Sequence, residues 1–132
     1  MRVDIDGETL YYFLKDGFSA EVFKRILFDE GPVELECSIH PYSITPQLDL
    51  FTNIFSGVPE NASMGTFSGG ALVINYKKIP RFQLTADTNE FDEWTHIGVA
   101  TADSQGRIQR LHNRAEQSQK IIWTHMTLSL CD

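Results

Sequence analysis

The chain has 132 residues, a net charge of −7 and only two cysteines. Hydrophobic residues make up 42% and charged residues 22%, the balance of a globular chain able to build its own core, which excludes a largely disordered one. The charge is lopsided: residues 1–60 carry eleven acids against four bases, and residues 61–132 hold seven of each. Such a field repels phosphate backbones and attracts a basic protein surface.

No apolar run approaches the length of a spanning helix, and the start of the chain lacks the apolar stretch of a signal peptide. Cys37 and Cys131 form no C-x-x-C pair. Together these features predict a cytoplasmic protein without a disulfide framework.

In chain order, the first element is a hairpin. Val3 and Ile5 alternate with polar residues, Asp6-Gly7 suits a tight turn, and Thr9–Leu14 is rich in β-favouring residues. A helix is predicted next over Ala20–Glu30, with Ser19 as its cap and Glu21 at the positive end of its dipole. Phe18 and Phe23 are spaced as a hydrophobic staple. Gly31 and Pro32 stop the helix. Residues 33–39 alternate strictly, which predicts a strand with one buried face and places Cys37 in the core. Thr45 as cap and Pro46 at the first helical position predict a second helix over Pro46–Ser56.

Beyond residue 64 the period changes to two. Strands are expected at Ala71–Tyr76, Arg81–Ala86, Thr95–Thr101, Arg107–Leu111 and Ile121–Leu130. Asp103-Ser104-Gln105-Gly106 reads as a turn, and residues 114–120 as a loop or helical turn. The fold class that follows is α+β, an antiparallel sheet of about five or more strands with two helices on one face, in a single domain spanning residues 1–132. Phe23, Ile26, Leu35, Phe51, Ile54, Val73, Leu84, Val99 and Leu128 are the expected core.

Candidate chemistry is sparse. His40, His96, His112 and His125 lack any metal-ligand spacing, so no metal site is expected, and no cofactor motif is present. Met64–Gly70 is glycine-rich but lacks the lysine of a phosphate loop and precedes a strand, so a flexible turn is expected there. Asp87, Glu90, Asp92 and Glu93 form an acidic stretch beside Phe91 and Trp94. Its spacing does not fit a calcium loop; acids beside aromatic anchors suit a docking surface for a basic partner.

His125-Met126-Thr127-Leu128 resembles one half of the H-x-[ST]-x motif pair of the two-histidine phosphoesterases. That resemblance implies hydrolysis of cyclic or 2′-5′ phosphodiesters, with His125 and a second histidine exchanging protons and Thr127 holding phosphate. The second motif departs from the pattern. His96-Ile97-Gly98-Val99 has glycine at the hydroxyl position, and His40-Pro41-Tyr42-Ser43 places serine one residue late. Residues 100–108 are similar to the opening hairpin of a PAS sensor domain, which the remaining chain is too short to complete.

The residues favour a non-enzymatic interaction module with an acidic surface. An immunity- or inhibitor-type protein for a basic toxin or nuclease, or a phage-particle assembly component, would fit. The phosphoesterase built on His125, Thr127 and His96 is the alternative.

Overall fold

The protein is described by a computed structural model covering residues 1–41, 43–46, 63–67, 71–75, 81–85 and 88–131, with residues 18, 19, 46, 63–67, 71, 73–75, 81–85 and 88–96 described through their backbone alone. Turn chemistry sets the first pair of strands. β1 (Arg2–Ile5) and β2 (Glu8–Leu14) pair antiparallel around Asp6 and Gly7, whose φ angles are 47° and 81°. Two successive positive φ values make the tight turn whose twist matches that of the flanking strands.

α1 (Phe18–Glu30) starts two residues earlier than expected. Its N-cap is Gly17 at φ 146° rather than Ser19, and no side chain caps it. Glycine alone reaches that conformation without strain, so backbone freedom replaces a capping hydroxyl here. Phe18 thus lies inside the helix rather than before its cap. Ala20, Phe23 and Leu27 are buried and Val22 and Ile26 half-buried against them, while Phe28 on the far side is 78% exposed. Gly31, at φ 72°, ends the helix as its lack of a Cβ allows.

β3 (Val33–Ile39) buries Val33, Leu35, Cys37 and Ile39 and exposes Glu34 and Glu36, as the alternation requires. β4 (Ser43–Pro46) follows at once, with His40 N donating to Ser43 O at 2.8 Å. Thr45 and Pro46 therefore belong to a strand, opposite Ser38 and Cys37, and do not begin a helix. Proline has no N–H to donate and is tolerated at the end of a strand. The rest of the helix expected over Pro46–Ser56, with Phe51 and Ile54, lies outside the described residues.

β5 (Ser63–Phe67), β6 (Ala71–Asn75), β7 (Arg81–Thr85) and β8 (Thr88–Ala100) come next. The glycine-rich turn expected at Met64–Gly70 instead contributes its first part to β5. β8 is much longer than the expected Thr95–Thr101. Its first half, through Trp94, pairs with β5, and its second half pairs with β6. Ladder partners in β5 draw the acidic stretch into extended structure, against its loop-like composition.

The largest correction is α2 (Ala102–Ser118). One helix replaces the turn Asp103–Gly106, the strand Arg107–Leu111 and the polar loop after it. It also replaces the PAS-like hairpin, since residues 100–108 run from the end of β8 into this helix. Thr101 is the cap: its Oγ1 accepts from Ser104 N at 3.3 Å and donates to Ser104 Oγ at 2.8 Å. Ile108, Leu111, His112 and Ala115 fall on one face and are buried. β9 (Ile122–Ser129) closes the described chain.

Every strand pairing is antiparallel, and the order is β2-β1-β9-β3-β4-β7-β6-β8-β5. β8 also pairs with β2, so the curled sheet meets itself and eight strands form a continuous ring, with β5 attached to β8 outside it. The α+β class expected from the sequence holds. Cross-strand rows inside the ring are apolar. Val33, Leu128, Val3 and Leu10 are successive neighbours across four strands, none more than 6% exposed. The next row, Leu35, Met126 and Ile5, ends at Glu8. Both helices bury side chains in the same cluster as these rows. Of the expected core, Phe23, Leu35 and Leu128 are buried, whereas Ile26 and Val99 are only half-buried.

At the seam, Gly98 is opposite Leu14 on one side and Leu72 on the other. A Cβ at this position would lie 2.9 Å from Phe13 O and 3.2 Å from a Leu14 methyl. The strands approach too closely there for any side chain. A register shift next to it, between Leu72 and Val73, leaves Ile97 as an extra residue on β8. Ile97 and Gly98 are consequently both buried, which strict alternation forbids.

Candidate functional site

The site is built on the outward faces of β3 and β9, which pair along their length. Because Met126 and Leu128 point into the core, Trp123, His125 and Thr127 share the opposite face. Register then fixes their neighbours: Glu36 is opposite His125, Ser38 opposite Trp123, and Glu34 opposite Thr127. The indole of Trp123 is 66% exposed. His125 Nε2 lies 3.8 Å from Glu36 Oε1, with both side chains about two-thirds exposed. Glu36, Trp123, Thr124 and His125 line a cleft of about 200 Å³.

This face also carries unpaired acidic charge. The acids of the opening hairpin are neutralised locally: Asp4 pairs with Arg2, Asp6 with Arg114, and Glu8 with both Arg110 and Arg114. The Arg110 hydrogen bond holds the Glu8 carboxyl below the usual glutamate range, against the effect of its partial burial. Glu21 is met by Lys24. Glu34 and Glu36 have no arginine or lysine partner among the described residues. Asp16, Asp29 and Glu30 are likewise exposed and unpaired among the described residues, so β3 carries part of the N-terminal surplus of charge, beside an exposed indole.

The other sequence-derived candidates fall elsewhere. Asp87 lies outside the described residues. Glu90, Phe91, Asp92, Glu93 and Trp94 form part of β8 rather than a loop, along the stretch where its register with β5 shifts. His96 is opposite Val73 on β8, and His125 is on β9. In one direction around the ring β1 and β2 separate these strands, and in the other β3, β4, β7 and β6 do. The fold does not bring the two histidines onto neighbouring strands. Gly98, the departure at the hydroxyl position of the second motif, is needed for the close approach at the seam.

Sequence reasoning passed over two contacts. Ser38 Oγ lies 3.0 Å from His40 Nε2, and His112 Nδ1 donates to the His40 carbonyl at 2.7 Å. A serine beside a histidine is the first requirement of an activated nucleophile. Ser38 is only 6% exposed and also donates to Thr45 O at 3.4 Å. The contact ties β3 to β4 and α2. Among the described residues, no three histidine, cysteine or acidic side chains converge as a metal site would need. Burial pushes the Cys37 thiol up to about 12, with Asp6 adding to the shift, which removes it as a nucleophile.

A larger groove of about 490 Å³ runs along Tyr11, Phe13, Leu14 and Leu130. Its one lysine, Lys24, is engaged by Glu21 at 3.1 Å. Among the described residues no helix is long and apolar enough to cross a membrane. No family model matches the chain, and neither the curated proteins nor the solved structures yield a match.

Proposed function

We propose that this chain is a non-enzymatic protein-interaction module that presents an acidic, aromatic-bearing face to a basic protein partner. One observation carries the reading: Trp123, two-thirds exposed, shares an outward sheet face with two carboxylates that no arginine or lysine among the described residues offsets. Exposed indoles flanked by polar groups are the usual anchors of interfaces. The same charge disfavours a nucleic-acid backbone. An inhibitor covering a basic active site, or a component docking onto a basic assembly partner, works through such a face.

The test is retention of basic proteins from a host extract by immobilised protein, comparing wild type with the double variant Glu34→Lys, Glu36→Lys. The expected outcome is retention at low salt, release as salt rises, and loss in the variant, since exposed charges are screened over about 8–10 Å at physiological ionic strength. Equal retention by both proteins, or indifference to salt, would overturn the reading.

A further inference from the structure

The pairing of β3 with β9 sets what this face presents to a partner. β3 is paired with β9 along its length and with β4 over Cys37–Ile39, and β9 is paired with β1 over Met126–Ser129. The outward face of this pair carries Glu34, Glu36, Trp123 and His125, so contact with that face is made through side chains. The cleft between Trp123 and Glu36 has room for one long side chain.

We propose that this cleft binds an arginine side chain of the basic partner, its guanidinium stacked on the Trp123 indole and paired with Glu36, while Glu34 takes a second cation. The proposal rests on the interaction reading above and specifies its chemistry. A planar guanidinium stacks on an aromatic face and pairs with a carboxylate through two parallel hydrogen bonds, which an ammonium cannot do. Both groups needed are adjacent: Glu36 is opposite His125, and Trp123 is two residues from His125 on the same face. His125, 3.8 Å from Glu36, is the group that would compete with the incoming cation.

Spacing supplies a further constraint. Glu34 and Glu36 are separated by two strand residues, about 6.6 Å. Residues four apart on a helix rise about 6 Å. A helix with two arginines four positions apart therefore matches the two carboxylates.

The probe is a capped, alanine- and glutamine-based helical peptide with two arginines four residues apart, together with lysine and glutamate versions. Binding is measured by calorimetry and by the shift of the Trp123 indole N–H resonance. The arginine peptide is expected to bind and to move that resonance. The lysine version should bind about threefold more weakly, and the glutamate version should not bind. Trp123→Ala is expected to weaken the arginine peptide about tenfold. Glu36→Gln and His125→Arg should each weaken it several-fold. All three side chains are largely exposed, so melting temperatures should stay unchanged and separate lost binding from lost folding.

Failure of the arginine peptide to bind, or equal binding to Trp123→Ala, overturns the arginine clamp. If basic proteins are still retained in a salt- and Glu34/Glu36-dependent way, only the clamp falls and the interaction reading stands. If that retention is absent too, both fall.

Discussion

The two helices feed one buried cluster by different means. α1 is entered through a glycine, lacks a side-chain cap, and attaches through Ala20, Phe23 and Leu27. α2 is capped by Thr101 and tied to the opening hairpin by directed polar contacts. Tyr11 N donates to Ser104 Oγ at 2.8 Å and Arg107 to Thr9 O at 3.0 Å, while Arg110 and Arg114 both reach Glu8. Ile108, Leu111 and Ala115 add burial, but nearly every other residue of α2 is exposed. Apolar burial holds α1 in a non-directional way, and α2 adds a geometry that specifies how it crosses β2. The first should be sensitive to volume, the second to charge state and hydrogen bonding.

Phe23→Ala should show the largest effect. The ring is fully buried, and truncating such an aromatic in a packed core costs about 3–5 kcal/mol. Denaturant unfolding measures it; a loss below about 1 kcal/mol would mean that α1 is held by something other than this face.

Thr101→Ala comes next. It removes the acceptor for Ser104 N and one partner of the buried Ser104 hydroxyl, an N-cap loss of about 0.5–2 kcal/mol. Ser19→Ala in α1, where Ser19 is not the cap, should cost less. A larger effect at Ser19 would reverse the comparison.

Glu8→Gln sharpens the comparison through pH. The folded state holds the Glu8 carboxyl below its usual range, chiefly through Arg110. Its contribution is therefore fully present above the ordinary glutamate range and is lost as pH falls through the depressed folded value. Both arginines are substantially exposed, so screening limits the loss to roughly 1 kcal/mol at neutral pH. Melting curves of wild type and variant should converge in acid and approach each other in high salt. A gap that persists unchanged at pH 2 would show that packing, not the ion pairs, is responsible.

Phe28→Ala should do least. At 78% exposure on α1, it should change stability within about 0.5 kcal/mol. A substantial loss would show that α1 is held on its outer side as well.

What could be read from the chain follows the same division. Local rules sufficed for the Asp6-Gly7 turn, for the stop at Gly31-Pro32 and for the alternation of residues 33–39, because each depends on backbone chemistry or a clean period. α2 was legible in principle: Thr101 with Ser104, then Ile108, Leu111, His112 and Ala115, are cap and stripe. The turn-like run Asp103-Ser104-Gln105-Gly106 competed with that signal, and a short alternation around Ile108 imitated a strand. The outward face of β9 could be read as far as His125 and Thr127 lying opposite Met126 and Leu128. That Glu36 would lie beside His125 could not. It depends on the register of two strands far apart in the chain, which no local rule sets. For the acidic stretch of β8, partners in β5 outweighed composition.

The seam at Gly98 also has a kinetic side. β2 lies in the first part of the chain, and β8 runs to residue 100, so their contact can form only once most of the polypeptide has been gathered in. Closing a loop of that size costs entropy before any pairing repays it, and contacts distant in sequence slow folding for that reason. The hairpin β1–β2 needs no such wait. Ring closure at Phe13, Leu14 and Gly98 is thus the event expected to come late. Until it happens, β2 and β8 each expose an edge that a second chain could pair with, and a residue that holds Leu14 away from Gly98 would prolong that exposure.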